Sequence, residues 1–115
     1  MHHDDSVFLG HMLDTAHKVV GRVRKVTRSD FDADEDLRDA IAYRVQIVGE
    51  AASRLSKEFR ERNSQIPWNR IIGMRHRIVH SYMDVDYDIL WEVATKSLPE
   101  FIEMTEELVR PKHEE

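Results

Sequence analysis

Cysteine is absent from the 115 residues. That excludes a disulfide scaffold, a thiol nucleophile and any cysteine-based zinc site, and it suits a reducing cytoplasm. Glycine and proline number only 4 and 3, so long loops are not expected. No apolar run approaches the roughly 20 residues of a membrane span, and no membrane association is expected. The opening "MHHDDSVF" has no apolar stretch of the kind a signal peptide carries. The last absence is local. From Arg62 to Met83 there is no Asp or Glu, although the chain holds 22 of them and a net charge of -5.

What is present is amphipathic helix. Hydrophobic residues make up 41% and charged residues 34%, enough for one core under a laced polar surface. Leu9, Met12, Leu13, Ala16, Val19, Val20 and Val23 recur at three and four residues, which predicts a helix over about 5–26. "TRSDFDADED" then supplies turn and N-cap residues. A second helix is expected over about 35–62, with Leu37, Ala40, Ile41, Val45, Ile47, Val48, Ala51, Ala52, Leu55 and Phe59 inward. Pro67 suits the first turn of a third helix over 68–80. Asp84 or Asp86 can cap a fourth over 87–109. No strand-period segment competes. The expected fold is all-α: one domain over 1–115, an antiparallel four-helix bundle with flexible ends at 1–4 and 111–115.

The acid-free window holds Arg62, Arg70, Arg75, Arg77, His76 and His80, so its local field is expected to be positive. Stepping about 100° per residue along a continuous third helix puts Arg75 inside its apolar arc. His76 and His80 fall at the edge of that arc and beyond it, and Arg77 points to solvent or a partner. Arg44 likewise falls within the apolar arc of the second helix. An inward guanidinium is costly unless it is paired or faces a cleft. Arg75 with two nearby histidines favours a cleft that binds an anion such as phosphate.

The i, i+4 spacing of His76 and His80 also fits two helical metal ligands. The zincin pattern needs Glu after the first His, where Arg77 stands, and no carboxylate lies nearby in sequence, so neither a metal nor any cofactor is expected. Glu50 falls off the main stripe of its helix. It could be solvated, sit at a dimer surface, or pair with an arginine of the motif. Asp14, His11 and His17 read as surface residues, and Trp68 and Trp91 as core or interface anchors.

The segment from Arg75 to Tyr82, "RHRIVHSY", reads R-x4-H-x-Y. It resembles the signature of HEPN-domain proteins, specifically the HepT-like ribonuclease toxins paired with MntA-like nucleotidyltransferase antitoxins. "RDAIAYRVQIVGEAASRLS" (38–56), "IPWNRIIGMRHRIVHSYMDVD" (66–86) and "LWEVATKSLPEF" (90–101) resemble the corresponding segments of that family. The resemblance implies a helical homodimer with both motifs lining a shared cleft, and metal-independent RNA cleavage. It makes Arg75 and His80 the catalytic pair and Tyr82 the residue that the antitoxin modifies with AMP. The second motif position is usually polar in the family, often Asn; here it is His76. His76, Arg77 and Glu50 are auxiliary candidates. The alternative is a non-catalytic helical module that binds nucleotide or a nucleotidyltransferase through the same basic cleft.

Overall fold

The computed structural model describes residues 3–81 and 84–109. The expectations for Tyr82 and for residues 1, 2 and 110–115 lie outside these described residues. Asp4, expected in a flexible end, belongs to the first helix, α1, His3–Val23.

The turn-rich segment after α1 holds a short helix, α2, Arg28–Ala33. Its signal was legible as a capping box: the Thr27 hydroxyl accepts from the Asp30 N–H, and the Asp30 carboxylate accepts from the Thr27 N–H. That backbone hydrogen bond holds the Asp30 carboxyl below the ordinary range. Asp34 caps α3, Glu35–Ser53, by accepting from the Leu37 N–H. The helix expected over 35–62 is in fact two. Arg54 to Ser56 leave the helix, and Ser56 starts α4, Lys57–Arg62, by accepting from the Phe59 N–H. The cause lies across the bundle: Asp5, only 3% exposed, accepts from the Ser56 N–H at 2.7 Å and from its hydroxyl at 2.8 Å. A buried carboxylate needs such donors, and this one draws the chain out of α3 to supply them.

Two further helices, α5 (Trp68–Ile72) and α6 (Met74–Ile78), replace the single third helix. Gly73 separates them with φ -83° and ψ 0°. Beyond Ile78 the chain is extended. β1 (Val79–Ser81) pairs antiparallel with β2 (Asp84–Val85), where an all-helical stretch and a loop were expected. The Asp86 N–H donates to the Ile78 carbonyl at 2.6 Å and closes the base of this hairpin. Asp86, not Asp84, caps the next helix, α7, Tyr87–Glu92, by accepting from the Ile89 N–H.

The last helix keeps its direction but changes winding. A π-helical segment, Val93–Ser97, lies between α7 and α8, Leu98–Val109. Pro99 explains it. Its ring clashes with the Thr95 carbonyl of a regular turn, and it has no N–H to donate there. A widened turn relieves both problems, and the Leu98 N–H reaches back to Val93.

The result is a helical bundle around one core. Asp5 at the start of α1 meets Ser56 just past the end of α3, so these helices run antiparallel. His17 meets Glu106 at 3.1 Å while Arg24 lies by Pro99, so α8 is also antiparallel to α1. Phe31, Ile41, Val45, Val48, Met12, Ala16, Leu90 and Leu98 are among the buried centre. Trp68 is buried, edge-on to Phe101 at 6.0 Å, and its Nε1–H donates to the Asn63 carbonyl. Trp91 is half-buried against Phe31 at 5.0 Å. Both tryptophans act as packing anchors. Two assignments to the apolar stripe of α3 change: Ala40 is exposed and Ile47 half-buried. Among the described residues, no helix is long and apolar enough to cross a membrane.

Candidate active site

The site elements are α5, α6 and the hairpin, and glycine sets their distance from the bundle. Gly49 of α3 faces the end of α5. A Cβ there would stand 3.2 Å from the Ile71 carbonyl oxygen and 3.4 Å from that of Ile72. These are backbone atoms with little freedom to retreat. Gly49→Val is therefore expected to destabilise the fold by about 1–3 kcal/mol, read as a lower urea midpoint at unchanged slope. A midpoint at or above the parent's would show that α5 has room to move.

Gly73 sets the direction of the motif. The helix stops at Ile72 and restarts at Met74, so the angular reading of one continuous helix does not carry across the break. Ile71, Met74 and Ile78 face the core. Arg75, expected inside the apolar arc, is exposed, as is His76. Arg77, expected to point away, is half-buried in a crevice against Leu98, Phe101 and Met104 of α8. Its Nη1 is buried without a hydrogen-bond partner among the described residues. The broken helix thus exchanges the two arginines: the one at the start of the motif is free, and the one two residues on is held.

His80 is not on the helix. Val79, at the C-cap of α6, has φ -111° and ψ 106°, and His80 follows it in β1. The i, i+4 proximity of His76 and His80 on one helix therefore does not arise. The pairing matches Val79 to Val85 and Ser81 to Asp84, so two steps on β1 oppose one on β2. His80 is the extra residue at this bulge, free of the regular ladder. Bulges bend the strand that carries them.

Electrostatically, the segment keeps its excess of positive charge. Arg70, Arg75 and Arg77 form no ion pair among the described residues; the six pairs found there lie elsewhere. Glu50 is not a partner of the motif. It is exposed and pairs at 3.3 Å with Arg54, the residue that caps the end of its helix. Arg44, expected inward, is half-buried and likewise outside these pairs. Asp14, His11 and His17 are exposed. Among the described residues, no group of three or more His, Asp or Glu could hold a metal ion. Arg60, which sequence reasoning did not single out, lines a groove between α4 and α5 together with Arg70 of the acid-free window. The signal of Arg60 was present only as charge, without a motif.

Comparison with known proteins bears on the same segments. The chain is 37% identical over 103 residues, 90% of its length, to a protein of Caldanaerobacter subterraneus subsp. tengcongensis named "Putative RNase", of which it covers 92%. It is 33% identical over 117 aligned residues to a Methanocaldococcus jannaschii protein named "Gamma-glutamylcyclotransferase and putative RNase". That match takes in 98% of this chain and 53% of the relative. A "Probable ribonuclease HepT" of Thermococcus cleftensis is 29% identical over 76 residues, covering 66% of this chain and 69% of its own. No solved structure matches. The family model described as ribonuclease HepT-like matches residues 12–108, which takes in α3, the α5–α6 motif and most of α8. An R-x4-H segment turned outward by a glycine break, with its histidine on a bulged strand, thus stands in a chain that belongs to the HepT-like ribonuclease family.

Proposed function

We propose that this chain is an endoribonuclease, the toxin of a toxin–antitoxin pair acting in the cytoplasm, and that it cuts RNA without a metal. The observation that carries this reading is Arg75: exposed, outside every ion pair among the described residues, and set in an acid-free segment of a HepT-like chain. Arg75 binds the scissile phosphate with its planar fork and stabilises the charge that builds on the phosphorane-like transition state. RNA brings its own nucleophile. The 2′-OH attacks phosphorus, the bond to the 5′ oxygen breaks, and His80 moves the proton. A second histidine, His76 or the partner copy's motif, serves the other proton transfer. The products are a 2′,3′-cyclic phosphate and a 5′-OH.

The working unit of this proposal is a homodimer in which both motifs line one cleft. Tyr43, 66% exposed on α3, and Ile47, half-buried four residues on, offer apolar surface for a second copy. A nucleotidyltransferase antitoxin silences the enzyme by joining AMP to the Tyr82 oxygen, releasing pyrophosphate from ATP. The adduct places bulk and negative charge two residues from His80, where substrate phosphate would otherwise sit.

Purified protein is expected to cleave single-stranded RNA in excess EDTA and leave cyclic-phosphate ends. Ends carrying a 3′-OH contradict the mechanism. Incubation with the nucleotidyltransferase and ATP should add adenylyl mass that maps to Tyr82 and stop cleavage. If mass is added elsewhere, the switch is misassigned. If RNA is never cut while nucleotide binds through Arg75, the chain is a non-catalytic binding module.

A further inference from the structure

Beside the motif, α4 and α5 enclose an open groove of about 700 Å³. Lys57, Arg60 and Arg70 line it, together with Ser64, Asn69 and one acid, Glu61. The charges of α4 largely cancel within the helix: Arg62 holds Glu58 at 2.7 Å and Lys57 holds Glu61 at 3.7 Å. One cation is left over. Arg60 has no ion-pair partner among the described residues, and its Nε is buried without a hydrogen-bond partner. Arg70 across the groove is exposed and equally unpaired. Arg70 also borders the crevice that holds Arg77 and, on its α8 side, Glu100, so the groove adjoins α6 through α5.

We infer that this groove is a second RNA-binding subsite, which holds the backbone of the single strand flanking the cleaved bond through Arg60 and Arg70. The inference rests on RNA being the substrate. Two unpaired guanidiniums with neutral hydrogen-bonding neighbours suit phosphate and sugar oxygens. The aromatic ring of the groove, Trp68, is only 5% exposed and engaged at its Nε1–H, so it offers no platform for base stacking. The groove therefore reads the backbone and not the bases. The walls are fixed: Asp5 holds the start of α4 through Ser56, and Trp68 holds the loop after it through Asn63. The cations are thus in place before RNA arrives.

The test uses the full chain carrying His80→Ala, so that RNA survives the measurement. Fluorescein-labelled U12 and A12 are titrated by anisotropy over a range of KCl. With Arg60→Gln and Arg70→Gln added, affinity is expected to fall about tenfold for both oligonucleotides. The slope of log affinity against log salt should become shallower by about 0.7 per lost phosphate contact. Arg70→Gln alone removes an exposed side chain. It should give about half the slope change with an unaltered thermal melt, which separates lost contacts from lost folding. Unchanged affinity and slope in these folded variants overturn the subsite and leave the groove to an acidic protein. A loss confined to one of the two sequences also overturns it. Failure of the His80→Ala parent to bind either RNA overturns the subsite and the ribonuclease reading together.

Discussion

His80→Ala is expected to fold as the parent does and to cut RNA about 10²–10⁴-fold more slowly, with EDTA or without it. The size follows from what the residue does in the proposed reaction. A 2′-OH is a weak nucleophile at neutral pH, and the leaving 5′ oxygen needs a proton. Imidazole is the side chain that can give or take one near pH 7. Few groups close in sequence could replace it: from Arg62 to Met83 there is no carboxylate and the only other histidine is His76, while beyond that window Asp84 stands opposite Ser81 on β2 and Asp86 is engaged as the cap of α7. The backbone is arranged around this position. The helix ends before it, the strand bulges at it, and the hairpin base is tied off by the Asp86 N–H to the Ile78 carbonyl. Removing the imidazole leaves those backbone bonds in place, and a thermal melt run beside the parent's checks that the fold is kept. His76→Ala run in parallel separates the two histidines. If His80→Ala retains parental cleavage while His76→Ala loses it, the catalytic proton carrier is His76 and the motif histidine is structural.

The bundle was legible in the sequence because it rests on period and burial. Leu9 through Val23, Leu37 through Ala52 and Leu98 through Phe101 keep helical spacing, and most of these apolar positions are buried. What was not legible depends on single contacts between distant residues. The break after Ser53 answers to Asp5, 51 residues away from Ser56 in sequence, and no local pattern announces it. The break at Gly73 had a local sign, a glycine in mid-pattern, yet its consequence was geometric: it turned Arg75 out and Arg77 in. The short helix α2 and the widened turn before Pro99 also had local signs, a Thr27–Asp30 capping box and a proline inside a helical run. The hairpin had none. Val79 to Val85 reads as a helix end and a loop, and the pairing becomes visible only in three dimensions. Arg75 was thus identified for a reason that fails, its inward angle. The reasons that stand are the acid-free run of sequence from Arg62 to Met83, its lack of an ion pair among the described residues, and the family motif.

That revision sharpens what Arg75 should do when changed. An inward arginine would be structural, and its loss would unfold the chain. An exposed, unpaired one should leave stability nearly untouched while activity collapses. Arg75→Ala is therefore expected to melt within about 0.5 kcal/mol of the parent. Its turnover should nonetheless fall about 10²–10³-fold, the usual loss when one donor to a developing oxyanion is removed. Arg75→Lys should recover only part of this, since a point charge cannot present two parallel N–H bonds to a phosphate. The shared cleft adds a sharper expectation. If Arg75 of one copy works with His80 of the other, mixing Arg75→Ala chains with His80→Ala chains rebuilds one intact site per mixed dimer. Random pairing makes half the dimers mixed, so roughly a quarter of parental activity should return from two inactive preparations. Turnover that stays at the level of either variant, with mixed dimers confirmed by native mass spectrometry, would place both groups of each site within one chain. A large loss of stability in Arg75→Ala would instead show that the guanidinium supports the fold, and the site would then need another group to hold the phosphate.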